Sequence, residues 1–96
     1  MTNLWIDDIR TPPRGYIWAK TSQEAIDLIE ANDPFSHVSF DHDLGGDDTS
    51  RRVVLWMCEN SGKWPKTASV HSMNPIGREW LTEMIKRYGD DCRFIR

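Results

Sequence analysis

Ninety-six residues hold one domain with one core, because a chain of this size buries only about two-thirds of its unfolded surface. Twelve basic against fifteen acidic side chains leave a net charge of −3. That excludes a general nucleic-acid coat, which needs a basic excess to displace counterions from phosphates, but not a small phosphorylated ligand held by a few arginines.

A hydrophobic fraction of 39% and a mean hydropathy of −0.61 describe a chain that folds into a globule rather than staying disordered. The longest apolar run, residues 53–58, falls far short of the ~20 residues of a membrane helix. The first residues lack a basic-then-apolar signal pattern, so a cytoplasmic protein with no membrane partner is expected. Cys58 and Cys92 sit in no CxxC or His-paired spacing and are expected as free thiols.

In chain order, residues 3–6 form a short apolar strand that stops at Asp7-Asp8. Residues 10–15 hold two adjacent prolines and a glycine and are a loop. A second strand covers 16–19. Thr21 and Glu24 have capping-box spacing before the apolar positions Ala25, Ile26, Leu28 and Ile29, which predicts a helix over 22–31. A strand over 38–40 then runs into Asp41-His42-Asp43. Residues 44–49 read as a flexible polar loop, and Val53, Val54, Trp56 and Met57 as the apolar side of a helix ending near 60–62. A strand over 68–70 closes in His71-Ser72. Asn74 and Pro75 supply an N-cap and a first-position proline for a helix that runs to Gly89. Residues 92–95 are a candidate edge strand.

Strands alternating with helices imply an α/β fold with a parallel sheet and right-handed crossovers, in which ligands bind beyond the carboxyl ends of the strands. Three such ends carry chemistry here: Asp7 and Asp8, then Asp41 and Asp43, then His71 and Ser72. Carboxylates gathered at one edge repel and raise one another's pKa unless a cation offsets them. A hard divalent ion, Mg²⁺ or Mn²⁺, suits oxygen ligands of this kind. The alternative is that the acids are turn formers.

The helix opened by Asn74 and Pro75 points its first amides and its positive dipole end at the same edge, which suits an anion. Arg10 and Arg78 are candidate phosphate forks, or solvated surface residues. His71 is a general acid or base, a ligand contact or a packing residue. His42 lies between two acids and is expected to face the other way as a structural residue, and His37 has no partner pattern. The five tryptophans are expected mostly in the core, with Trp18 or Trp64 placed to stack on a base.

Residues 4–10 (LWIDDIR), 39–45 (SFDHDLG) and 70–78 (VHSMNPIGR) together resemble the cyclic-phosphate processing receiver-like domain, a divergent branch of the receiver domains of two-component signalling. The resemblance spans nearly the whole chain. It implies a flavodoxin-like sheet in the order 2-1-3-4-5, and action on a cyclic phosphate or cyclic nucleotide, in settings that include nucleotide-signal immunity and phage counter-defence. By position it implies Asp7, Asp8 and Asp41 as metal acids and Asp43 as an additional acid, with His71, Ser72, Asn74 and Arg78 on the phosphate side.

Two departures stand out. The loop at 10–15 replaces the first helix of an ordinary receiver, leaving one sheet face thinly covered and open to a partner chain, including a second copy in a homo-oligomer. The last strand ends in Phe94-Ile95-Arg96 rather than in lysine.

The leading expectation is a metal-dependent phosphoesterase with His71 and Asp43 as proton-handling residues and Arg10 or Arg78 neutralising charge. A non-catalytic pocket that sequesters a cyclic nucleotide is the second, and a phosphoaccepting or pseudo-receiver module that binds a protein is the third.

Overall fold

The computed structural model describes residues 2–95, so the expectation for Arg96 lies outside the described residues. Five parallel strands, β1 (Asn3–Ile6), β2 (Tyr16–Ala19), β3 (His37–Phe40), β4 (Thr67–Val70) and β5 (Arg93–Phe94), form one sheet in the order β2-β1-β3-β4-β5. Ile6 is level with Ala19 on one side and Phe40 on the other, and Phe40 is level with Val70. The residues that follow these ends, Asp7, Asp41 and His71, therefore emerge along one edge.

Three helices fill the crossovers: α1 (Ser22–Ala31), α2 (Arg51–Glu59) and α3 (Pro75–Tyr88). Their three connections step in the same direction across the sheet, and right-handed crossovers place all three on one face. Accordingly α1 packs on α2 and α2 on α3. Leu4, Ile6, Val38, Phe40 and Ala68 from the strands are buried against Ala25, Ile29, Val53, Met57, Leu81 and Ile85 from the helices. Removing a side chain such as Phe40 from this layer costs about 3–5 kcal/mol.

The step from β1 to β2 runs the other way, and the loop at 7–15 stands where a helix on the second face would be. That face is polar and aromatic: Trp5, Tyr16, Trp18, His37, Thr67 and Ser69 are half-buried, and Ser39 is buried. Alternation along each strand produces both faces at once, since successive side chains point to opposite sides.

Several local expectations are corrected by the tertiary structure. Three of the five tryptophans join the core, Trp64 buried in it and Trp56 and Trp80 packed half-buried against it, but two do not. Trp5 and Trp18 instead brace the 7–15 loop, donating from their indole nitrogens to the Arg10 and Asp7 carbonyls at 2.9 and 2.7 Å, because an indole N–H needs an acceptor. Trp64, sealed in the core, is out of reach of any base. Residues 44–49 form a pinned turn rather than a flexible loop: Asp43 bridges Thr49, Leu44 is buried, and the Asp48 carboxylate accepts from the amide and hydroxyl of Ser22 at 2.9 and 2.6 Å. An acid at the first turn of α1 is favoured by the helix dipole. Glu24 reaches one residue further back than a capping box requires, to the Lys20 amide, while Thr21 caps the Glu24 amide. The last strand is shorter than 92–95, with Ile95 adding one further bond to Ala68. Cys58 and Cys92 are free, and burial pushes both thiols up, Cys92 to about 11.

Candidate functional site

At the carboxyl edge of the sheet, Asp7, Asp8, Ile9, Arg10, Asp41, Asp43, Gly45, Gly46, Ser72, Met73 and Asn74 line a cleft of about 470 Å³. Asp7, Asp8 and Asp41 each bring a carboxylate oxygen within 4.8 Å of the others. Asp7 is 1% exposed. One of its oxygens accepts the amides of Ile9 and Arg10, both at 2.9 Å, and the other accepts from His71 Nε2 at 3.0 Å. Burial, and next the charge of Asp7, push the Asp41 carboxyl above its ordinary value, against the smaller pull of the His42 amide. A dication relieves both effects, so the donor set and its mutual repulsion fit a hard metal ion. Gly45 has φ of 91°, and a Cβ there would come within 3.3 Å of an Asp8 oxygen, so glycine is what lets the turn close over this group.

Asp43 sits on the rim, its side chain 62% exposed. His42 Nδ1 donates to one of its oxygens at 3.0 Å and Asn74 Nδ2 to the other at 3.1 Å, and these bonds, led by His42, hold the Asp43 carboxyl below its ordinary value. His42 itself is buried, turned away from the cleft as expected. It accepts from Arg51 Nε at 2.8 Å and packs on Gly77 of α3.

The start of α3 differs from expectation in one respect. Asn74 Oδ1 accepts the amides of Ile76 and Gly77, both at 3.1 Å, the Asn74 carbonyl takes the Arg78 amide, and Pro75 has none to give. No first-turn amide is left free, so α3 offers an anion its dipole but no direct bond.

His71 stands behind the cleft rather than in its lining. Its ring stacks on Trp5 with centroids 3.8 Å apart and planes at 6°, and both nitrogens are occupied, by Asp7 and by Ser39 at 2.7 Å. Burial is the main effect on its pKa and lowers it, with Asp7 partly offsetting. Arg10 lines the cleft and reaches the His71 carbonyl at 3.3 Å. Arg78 does not line it. It faces a neighbouring groove with Thr82 and Lys86 that shares only Ser72 and Met73 with the acidic cleft.

Sequence reasoning assigned no role to Ser39, Ser69 or His37, which bond to one another across the uncovered sheet face. The signal was present in the alternation of polar residues at 37, 39, 67 and 69 with apolar ones at 38, 40 and 68, which marks a strand pair with one polar face.

A parallel sheet in this order, with paired acids after β1, an acid after β3 and a hydroxyl two residues beyond β4, defines a receiver-like domain. A family model described as cyclic-phosphate processing receiver domain matches residues 2–87. The chain belongs to that family. No curated protein and no solved structure matches it. No helix of the described residues is long and apolar enough to cross a membrane.

Proposed function

We propose that this domain is a phosphoesterase that opens a cyclic phosphate or cyclic nucleotide with the help of a divalent cation, Mg²⁺ or Mn²⁺. The observation that carries the proposal is the convergence of Asp7, Asp8 and Asp41 oxygens within 4.8 Å of one another in a cleft also lined by Arg10. Membership of a family named for cyclic-phosphate processing supports the choice of ligand.

Asp7, Asp8 and Asp41 would hold the ion, which supplies charge compensation and polarisation of a phosphoryl oxygen when bound. Arg10 places a guanidinium beside the phosphate and neutralises charge that develops on it. Asp43 is the rim carboxylate placed to take a proton from an attacking water, a weaker base than a free carboxylate because His42 and Asn74 donate to it. His71 acts through Asp7, which it holds in one orientation. Ring opening then forms one new P–O bond to the water oxygen and breaks one ester P–O bond, with the proton passing to the released alkoxide.

Incubation with 2′,3′-cyclic and 3′,5′-cyclic mononucleotides and cyclic dinucleotides, with and without Mg²⁺ or Mn²⁺, followed by ³¹P NMR, tests this. Metal-dependent loss of a cyclic phosphorus signal in wild type, absent in Asp41→Asn, is the expected result. Tight binding with no product replaces it with the sequestration reading.

A further inference from the structure

On the uncovered face of the sheet, six side chains form one unbroken run of hydrogen bonds. Thr67 Oγ1 meets His37 Nδ1 at 2.7 Å, and His37 Nε2 meets Ser69 Oγ at 2.9 Å. Ser69 donates to Ser39 Oγ at 3.2 Å, Ser39 Oγ meets His71 Nδ1 at 2.7 Å, and His71 Nε2 meets Asp7 at 3.0 Å. The directions follow from the Asp7 end. An ionised carboxylate only accepts, so His71 Nε2 carries a proton and, in the neutral ring, Nδ1 accepts from Ser39. Ser39 then accepts from Ser69, Ser69 from His37 Nε2, and His37 Nδ1 from Thr67. The Thr67 proton has a second acceptor in the Ser36 carbonyl at 3.1 Å, so the order is fixed from Asp7 as far as the His37 Nε2–H.

We propose that Ser39 is a positioning residue for the acidic site: its hydroxyl fixes the His71 ring so that the Nε2–H stays on the Asp7 carboxylate, with Ser69 and His37 fixing Ser39 in turn. The inference extends the reading of Asp7 as a metal-holding carboxylate, because partners one bond beyond a ligand set its orientation. Three features carry it. Ser39 is buried, 4% exposed, which leaves little room for solvent to replace its bond. The Trp5 stack restrains the plane of the His71 ring but not which ring edge faces Asp7. The two ends of the ring make bonds of comparable length on opposite sides, so losing either frees the ring to turn about the stack.

His42 provides a built-in control. Arg51 Nε can only donate, so His42 Nε2 accepts and its Nδ1 carries the proton toward Asp43. Long-range ¹H–¹⁵N spectra of ¹⁵N-histidine protein at neutral pH should show His37 and His71 as Nε2–H forms and His42 as the Nδ1–H form. In Ser39→Ala the His71 Nδ1 resonance should move toward that of an unbonded ring nitrogen. Its Hε2 should exchange with water at least tenfold faster, His42 should be unchanged, and the Kd for Mn²⁺ by calorimetry should rise about tenfold. Ser39→Thr, which keeps the hydroxyl, should restore these values. Ser69→Ala, at a half-buried site, should produce a smaller change of the same sign and serves if Ser39→Ala does not fold.

An unchanged His71 Nδ1 resonance and Hε2 exchange in the serine variants overturns the proposal. So does unchanged Mn²⁺ affinity in a variant whose His71 signals have moved. A wild type that takes up no Mn²⁺ defeats the metal reading alone, and the nitrogen and exchange signals still decide the role of Ser39.

Discussion

His42 and Gly77 approach so closely that a Cβ on Gly77 would lie 2.2 Å from His42 Cγ. The contact lets α3 settle onto the turn after β3 and brings Asn74, at the start of α3, against Asp43, which His42 also holds. Gly77→Ala should therefore do two things. It should lower stability by about 1–3 kcal/mol through overpacking, seen as a lower denaturant midpoint at unchanged m. It should also detach Asp43 from its two donors. His42→Ala in the same chain makes room for the methyl group, and the double variant should be more stable than the sum of the single losses predicts. Strict additivity would show that the two residues do not meet in solution.

Millimolar Mg²⁺ or Mn²⁺ should raise Tm, because an ion that binds only the native arrangement of Asp7, Asp8 and Asp41 stabilises it by mass action. At a concentration 100 times Kd the gain is about 2.7 kcal/mol. Thermal melts of the Asp7→Asn, Asp41→Asn double variant should show no such gain, whatever the cost to its metal-free Tm of the acceptor lost at Asp7. An equal metal shift in both proteins would place the ion elsewhere.

Arg10 and Arg78 separate by position. Arg10 lines the acidic cleft and Arg78 the adjoining groove. Arg10→Ala should weaken binding of a cyclic phosphate by about 1.5–3 kcal/mol, the value of a hydrogen bond to a charged group. Arg78→Ala should have a smaller effect. Calorimetry of both variants in the presence of Mg²⁺ reads the difference, and the reverse order would move the phosphate toward Ser72 and the α3 groove.

His37 carries a pH dependence of definite sign. Burial lowers its pKa below the usual 6.5, so between the native and unfolded values the unfolded chain binds more protons. Stability from this group is fully present above about pH 6.5 and declines as pH falls toward the depressed native value. Asp41 acts in the opposite sense: its raised carboxyl binds a proton more readily in the native state, so acidification relieves part of the repulsion at the site. Denaturant midpoints measured from pH 7.5 to pH 5 should fall less steeply for His37→Gln than for wild type. Identical slopes would remove His37 from the balance.

Local signals in the sequence were enough for the elements themselves. Apolar strands that stop at Asp7, Asp41 and His71, the Thr21 and Asn74 caps, and Pro75 followed by Gly89 act over a few residues, and the helices over 22–31 and from Pro75 stand where those signals put them. The sheet order came from the family resemblance, and the parallel alternation of strand and helix placed the two acid-bearing ends and the His71-Ser72 end on one edge.

What the tertiary structure decided is which atoms meet across that edge, because such contacts join residues far apart in the chain. Asn74 uses up the amides that an anion was expected to find, and Arg78 lines the groove beside α3 rather than the acidic cleft. His71 turns behind Asp7 because Ser39 and Trp5 hold it there. Composition places the tryptophans inside by their apolar area, yet the missing helix exposes a sheet face where Trp5 and Trp18 instead find carbonyl acceptors in the loop that replaced it. Periodicity fixes which face a side chain takes. Only packing between distant segments fixes what it touches there.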